Sequence, residues 1–286
     1  MAAKIIDGTS LAAAVRAAVR PQVEQLVKRG VQPGLAVVLA GDHPASRAYV
    51  RSKVRACEQT GLRSEMHEFP ATVEETVLLE RIARLNRDAR VHGILVQLPL
   101  PNQVNAARVL AAVSPAKDVD GFHTDNLGAL VSGQPGFVPC TPAGVLRMLE
   151  HEQVPLAGRH AVVVGRSNIV GKPMALLLLQ RDATVTICHS KTTRLGEITR
   201  QADVLVAAVG VAKLIKQDMV KPGACVIDVG MNRLADGALC GDVDFEALKT
   251  VAGWITPVPG GVGPMTVAML VANTVRAAAQ SNARGA

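Results

Sequence analysis

HAVVVGRSNIVGKPM, from His160 to Met174, is the stretch whose reading decides the fold. Ala161 to Val164 is a short apolar run rich in β-branched residues, Gly165 ends it, and Ile169 to Gln180 resumes with the composition of a helix. A buried strand that turns straight into a helix across Gly165 to Gly171 aims backbone N–H groups and the positive end of a helix dipole at one point, which suits an anion. In an open α/β sheet that turn holds a nucleotide pyrophosphate. The glycine spacing departs from the usual one: Ser167 stands where a second glycine is expected, and Gly171 falls one residue late. Taken alone, the string also fits a plain strand-to-helix connection.

The patterns on either side repeat the theme. Upstream, Ser10 to Arg29 has helical spacing, Leu35 to Leu39 strand length, and Ala45 to Thr60 helical spacing again. Arg63 to Phe69 reads as a strand, Thr72 with Glu75 as a capping box for a helix to about Asn86, and Gly93 to Val96 as the next strand. Between Asn102 and Pro139 only a helix near Ala106 to Ala112 stands out, within a charged loop and a Gly/Pro-rich segment from Gly133. Thr141-Pro142 then offers a hydroxyl at N-cap and proline at the first helical position. Downstream, strands at Thr184 to Cys188, Val204 to Ala208, Cys225 to Val229 and Trp254 to Thr256 alternate with helices near Arg194 to Gln201 and Asp244 to Thr250, and Met265 to Ala279 closes the chain as a helix. Alternating strands and helices imply mostly parallel sheets covered on both faces, in two doubly wound domains.

Composition narrows the function. The 286 residues are 49% hydrophobic and only 2% aromatic, so the cores are aliphatic. Lys and Arg exceed Asp and Glu by 31 to 24, a formal +7, which suits an anionic ligand. The basic residues are scattered and there are few aromatic rings to stack on bases, so a nucleic-acid partner is not expected. Five cysteines, far apart and never as C-x-x-C, read as reduced thiols of a cytoplasmic protein. The start, MAAKIIDGTS, lacks the plan of a secretory signal. Trp254 to Val275 is uncharged but holds Pro257, Pro259 and Pro264 with Gly260, Gly261 and Gly263, which leaves too short an apolar helix to span a bilayer.

Five places carry residues fit for chemistry. About 20 residues after the glycine turn, where an NAD-binding sheet presents a carboxylate to the ribose, this chain has Cys188-His189-Ser190-Lys191. With Arg166 in the turn itself, a hydroxyl and two cations favour a 2′-phosphate, hence NADP over NAD. The alternative is a solvated loop. Tyr49, the only tyrosine, lies four residues before Lys53, so both project from one helix face. A lysine there can move protons if its surroundings tune it, although Arg47, Arg51 and Arg55 also fit a solvated basic face. Gln97 directly follows a buried strand, at the carboxyl edge where parallel sheets bind ligands. Lys117 to Gly121 is a charged turn whose carboxylates could hold a heterocycle's N–H groups or pair with Lys53, and it reads equally as an Asx turn without a ligand. Finally, TPVPGGVGPMT (Thr256 to Thr266) is stiff where proline fixes φ and open where glycine admits a ligand to the backbone.

Seven strings, in order along nearly the whole chain, resemble the bifunctional methylenetetrahydrofolate dehydrogenase/methenyltetrahydrofolate cyclohydrolase family. They are GDHPASRAYVRSK (Gly41 to Lys53), VQLPLP (Val96 to Pro101), KDVDGFH (Lys117 to His123), PCTPAGV (Pro139 to Val145), GRSNIVGKPM (Gly165 to Met174), CHSKT (Cys188 to Thr192) and PVPGGVGPMTVAML (Pro257 to Leu270). The resemblance implies a folate-binding catalytic domain over residues 1–139, an NADP-binding Rossmann domain over 140–264, a cleft between them, and a closing helix over 265–286 that packs back on the first domain. It implies a homodimer acting on tetrahydrofolate derivatives in one-carbon metabolism and purine biosynthesis, with neither nucleic acid nor membrane as partner.

By the family's pattern Lys53 is the central catalytic residue, Tyr49 orients the folate, Gln97 assists Lys53 and Asp120 anchors the pterin, with Leu98, Pro259 and Gly261 beside the substrate. Gly165, Arg166, Ser167 and Ser190 match cofactor-binding positions, as does Met231, where isoleucine is usual. No metal is implied. The implied chemistry is NADP-dependent oxidation of 5,10-methylenetetrahydrofolate and hydrolysis of the methenyl product to 10-formyltetrahydrofolate. A dehydrogenase with one activity or NAD preference, and a folate or nucleotide binder without turnover, are the alternatives.

Overall fold

A computed structural model describes residues 2–134 and 136–285. Pro135, inside the Gly/Pro-rich segment, and Ala286, at the end of the expected closing helix, lie outside the described residues. The chain divides into two compact units, one made of Ala13–Cys140 with the residues from Val267 on, the other of the residues up to Ala12 with Thr141–Thr266.

The first unit is built on a three-stranded parallel sheet of β2 (Gly34–Ala40), flanked by β3 (Arg63–Phe69) and β4 (Gly93–Val96). Every residue of β2 is buried, and its alternation sorts two cores. Leu35, Val37 and Leu39 pack with α1 (Gly8–Lys28), α2 (Pro44–Thr60) and α10 (Val262–Gly285) through Val19, Val23, Val50, Leu270 and Val271. Ala36, Val38 and Ala40 pack with α3 (Glu75–Arg87) and α4 (Ala106–Ala111) through Leu78, Ile82 and Val109. A strand covered on both faces reads as an unbroken apolar run, as GLAVVLA does. The closing helix serves this core from Val267 onward.

The second unit is a six-stranded parallel sheet in the order β1-β11-β8-β7-β5-β6. Its strands are β1 (Lys4–Ile5), β5 (His160–Val164), β6 (Thr184–Cys188), β7 (Val204–Ala207), β8 (Cys225–Asp228) and β11 (Trp254–Ile255), and between β8 and β11 a small hairpin pairs β9 (Asn232–Arg233) with β10 (Leu239–Cys240). From β5 the chain moves outward to β6 through α7 (Gly171–Leu179), then returns to β7 on the other side, so the strand order reverses at β5. Ligands of open parallel sheets bind at such a reversal.

Several expectations need correction. Residues 1–12 do not belong with the first domain: β1 pairs in parallel with β11, Lys4 opposite Trp254, and adds a sixth strand to the second unit's sheet. The Thr72–Glu75 capping box does not form. Glu74 is the N-cap of α3 and makes no side-chain cap, while the Glu75 carboxylate accepts from the Asn105 N–H at 2.7 Å and pairs with Arg108 at 2.8 Å. Thr141 is not an N-cap either: α6 (Cys140–His151) already includes Cys140, and the Thr141 hydroxyl is spent on Thr266 Oγ1, 2.9 Å away. The charged loop before Pro139 contains a further helix, α5 (Thr124–Ser132).

The closing helix starts at Val262, earlier than expected, because Pro264 sits in its first turn where a missing N–H breaks no helical bond. Residues 262–281 thereby become long and apolar enough to cross a membrane by length and composition, contrary to the expectation. Most of that window is buried inside the protein, Met265, Leu270 and Val271 completely.

Candidate active site

Lys53 is only 5% exposed, which removes it from the solvated face of α2, where Arg51 and Arg55 remain. A buried ammonium must be partnered. Its Nζ donates to Gln97 Oε1 at 3.0 Å and stands 5.8 Å from the centre of the Tyr49 ring. Gln97 is fixed in turn, its Nε2 donating to the Leu98 carbonyl at 2.7 Å, with the Leu98–Pro99 peptide cis. Carboxyl-end placement on β4 and one-turn spacing on α2 thus bring the three side chains together. Burial raises the Tyr49 phenol above its ordinary range, so it stays protonated near neutrality. Arg47 does not join them; it pairs with Asp42 and Glu68 at 2.8 and 2.9 Å.

In the Lys117–Gly121 turn the two readings separate by residue. Lys117 faces away from chemistry, its Nζ donating to the Leu85 and Asp88 carbonyls at 3.1 and 2.8 Å, where it satisfies the last turn of α3. Asp118 is the structural aspartate: its Oδ2 accepts from the His123 N–H at 2.7 Å and from Asn126 Nδ2 at 2.9 Å. Asp120 is 8% exposed, and burial pushes its carboxyl above the usual carboxylate range, with the Lys53 charge pulling the other way and Asp118 pushing with burial. Gly121 closes the turn at φ 77°, and a Cβ on it would lie 2.6 Å from the Pro139 nitrogen.

The nucleotide turn is as the sequence predicts, with helix α7 opening at Gly171 instead of Ile169. Gly165 adopts φ 130°, and a Cβ there would overlap the Ala208 carbonyl oxygen, while one on Gly171 would overlap the Gly165 carbonyl. Both glycines are therefore required by the closeness of the strand, turn and helix. Ser167, in the place of the missing glycine, has a use of its own: its Oγ accepts from the Val170 and Gly171 N–H groups at 3.1 and 3.3 Å and fixes the turn that leads into α7. Arg166 is exposed, and so are Ser190 and Lys191 past the end of β6. The loop carrying them is shaped from within, since the His189 N–H donates to Thr192 Oγ1 at 2.9 Å and the Lys191 N–H to His189 Nδ1 at 3.1 Å. A cradle only glycine fits, with cations and a hydroxyl and no carboxylate at the second strand, suits a dinucleotide with a 2′-phosphate.

The Pro257–Gly261 loop lies against the first turn of α1, where Thr9 donates its N–H to the Gly260 carbonyl at 3.1 Å and a Cβ on Gly8 would overlap the Gly261 carbonyl. Pro259 is exposed and Gly261 buried. Met231, 44% exposed, sits in the loop after β8.

Comparison with known proteins agrees with this geometry. Residues 6–120 match the catalytic domain of tetrahydrofolate dehydrogenase/cyclohydrolase, and residues 139–282 its NAD(P)-binding domain. The chain belongs to the tetrahydrofolate dehydrogenase/cyclohydrolase family. The bifunctional protein FolD of Polaromonas naphthalenivorans is 60% identical over 278 residues, covering 97% of this chain and 99% of that one. The crystal structure of the bifunctional FolD of Campylobacter jejuni superposes with a TM-score of 0.96 at 47% identity, covering 98% and 99% of the two chains. That of Trypanosoma brucei, complexed with NADP cofactor and inhibitor, gives a TM-score of 0.95 at 38% identity, with 99% of each chain covered. The chain is accordingly a bifunctional dehydrogenase and cyclohydrolase of tetrahydrofolate derivatives.

Within this family fold, some side chains around the site escape sequence reasoning. Cys140 and Asn273 back the Asp120 turn: the thiol donates to the Val119 carbonyl at 3.3 Å, and Asn273 Nδ2 donates to the same oxygen at 2.9 Å. Burial and the Asp120 charge push the Cys140 thiol well up, so it remains a neutral donor. The string PCTP marked Cys140, whereas nothing marked Asn273, which lies in the mostly apolar closing helix. Asp228 and Asp242 lie wholly inside the second unit, and burial pushes the Asp228 carboxyl up to about 6.

Proposed function

We propose that Lys53 carries the proton traffic of the hydrolysis, with Gln97 and Tyr49 holding it in place and Asp120 holding the pterin for both reactions. The protein oxidises 5,10-methylenetetrahydrofolate with NADP and hydrolyses the resulting 5,10-methenyltetrahydrofolate to 10-formyltetrahydrofolate. The observation that carries the assignment of Lys53 is its burial against Gln97 Oε1 at 3.0 Å, which fixes the Nζ at one place beside Tyr49, within reach of a ligand held there.

NADP, when bound, accepts the hydride from the methylene carbon. Hydride transfer asks chiefly for alignment of two ligands, with reacting atoms about 3–3.5 Å apart. Arg166 and Ser190 supply the 2′-phosphate contacts, and the Gly165–Gly171 turn receives the pyrophosphate. In the second reaction a water oxygen bonds to the cationic methenyl carbon while Lys53, in its amine form, takes the water's proton. The carbon–N5 bond then breaks as N5 gains a proton and the hydroxyl loses one to become the formyl carbonyl. One water is consumed and one proton released overall. Asp120 as a carboxylate accepts from the pterin N–H groups, and Leu98, Pro259 and Gly261 contact the substrate.

A homodimer is proposed as the working form. Strand β6 ends the six-stranded sheet, and Ile187 on it and Leu179 just before it are exposed, which supports an interface at that edge. Sedimentation at micromolar concentration should give twice the chain mass; a monomer contradicts this. The cytoplasm is the proposed compartment, supported by five free cysteines. Protein denatured without reductant should titrate all five thiols, and a recovered disulfide would speak against it.

The activity is tested by mixing protein, 5,10-methylenetetrahydrofolate and NADP and following methenyl absorbance. A rise followed by decay is expected. A rise with no decay means a dehydrogenase alone, and faster reduction of NAD than NADP removes the 2′-phosphate assignment.

A further inference from the structure

Two buried aspartates in the second unit have no part in the chemistry above. Asp228 ends β8 and is 2% exposed; Asp242 follows β10 and is 0% exposed. Among the described residues neither has a cationic partner within ion-pair distance. Each is satisfied by N–H donors instead. Asp242 Oδ2 accepts from the Val209 and Gly210 N–H groups at 2.7 and 3.0 Å, and Oδ1 from the Val211 N–H and Asn232 Nδ2, both at 2.9 Å. Asp228 Oδ1 accepts from the Gly230 and Asp242 N–H groups, both at 2.9 Å, and Oδ2 from the Val243 N–H at 3.0 Å. The surroundings are fitted to the carboxylates: a Cβ on Gly230 would overlap the Asp242 carboxylate, and one on Gly241 the Asp228 carboxylate.

The donors locate the function. Val209–Val211 follow the carboxyl end of β7, and Gly230–Asn232 follow that of β8. A dinucleotide lies across the strand reversal, its pyrophosphate at the turn after β5. Its adenosine half runs toward β6, where Ser190 stands, so its nicotinamide half must run the other way, over the ends of β7 and β8. One carboxylate, Asp242, ties both of those loops together, and the β9–β10 hairpin returns the chain to place it there. Burying two like charges together is costly, and the return is a fixed backbone at the loops' roots.

We infer that Asp242, braced by Asp228, is a positioning residue that sets the two loops under the nicotinamide half of NADP. This rests on the reading of the second unit as the NADP site. The test uses the full-length enzyme with Asp242→Asn and, as a milder change, Asn232→Ala. Asparagine keeps the shape but offers one acceptor oxygen where the carboxylate offers two. Asp242→Asn should raise the Kd for NADPH, read by its fluorescence, and the KM for NADP at least about tenfold, the worth of one charge-assisted hydrogen bond. Methenyl hydrolysis assayed without NADP should change less than about twofold, a split that general misfolding does not produce. Asn232→Ala should shift the same two constants in the same direction by a smaller factor, and it decides the matter if Asp242→Asn fails to fold. Unchanged NADPH affinity in the folded variants, or hydrolysis falling in step with oxidation, overturns the inference. A wild type that binds NADPH yet oxidises no folate would refute the activity reading, and the Kd comparison would still judge Asp242.

Discussion

Residue by residue, the site is a set of burial decisions. Asp120 is the sharpest example, because burial raises its carboxyl while the nearby ammonium lowers it. The charged form accepts the pterin N–H groups, so kcat/KM for the folate should fall as the pH drops through the raised pKa, beginning above the ordinary aspartate value of 3.8. Stability carries the opposite sign, since a raised folded pKa means that protonation favours the fold as pH falls. In Asp120→Asn the acid limb should move down or vanish while the folate KM rises; a pH profile identical to wild type contradicts that. Legibility followed the same line. Spacing placed Tyr49 and Lys53 on one face and Gln97 at a strand end, but it left Lys53 between catalysis and a basic surface, and its 5% exposure removes the second of these. Spacing alone did not separate Asp118 from Asp120, both turn aspartates; only the family's pattern singled out Asp120, and in the structure Asp118 is taken up by His123 and Asn126.

At the scale of elements, the nucleotide turn was legible because its glycines are imposed by backbone overlap. Gly165→Ala should therefore cost about 1–3 kcal/mol from the strained φ alone, read as a lowered Tm, and should weaken NADP binding; unchanged melting would mean the Ala208 carbonyl can yield. Arg166→Ala should cut the preference for NADP over NAD by about 10–100-fold, the range for a hydrogen bond between charged groups, with the ratio of kcat/KM values as readout. An unchanged ratio would place the 2′-phosphate elsewhere. What stayed hidden had weak local signals. Helix α5 is capped by His123, whose Nδ1 accepts from the Asp125 N–H at 3.0 Å, and histidine is not a favoured N-cap. Strand β1 has two residues, too few for any period, and exists through its pairing with β11. Thr141 has the chemistry of a cap, but a tertiary partner, Thr266, claimed its hydroxyl.

For the whole molecule, the aliphatic composition and the order of strands and helices made the α/β class readable, while the assignment of the first twelve residues was not, because it depends on contacts far along the chain. The formal +7 charge has a matching expectation: both ligands are anions, so raising ionic strength from about 0.05 to 0.5 M should increase KM for NADP and for a polyglutamylated folate more than for the monoglutamate. Equal changes for the two folates would divorce the charge from the substrate tail. The account turns most on the amine between Tyr49 and Gln97, and the direct test is the rate of methenyltetrahydrofolate hydrolysis by Lys53→Met. Methionine keeps the length and apolar bulk without the charge, so Tm should hold within a few degrees. The hydrolysis rate should fall about 10²–10⁴-fold, the range for a lost acid–base group. A folded variant that hydrolyses at near the wild-type rate would contradict the central claim.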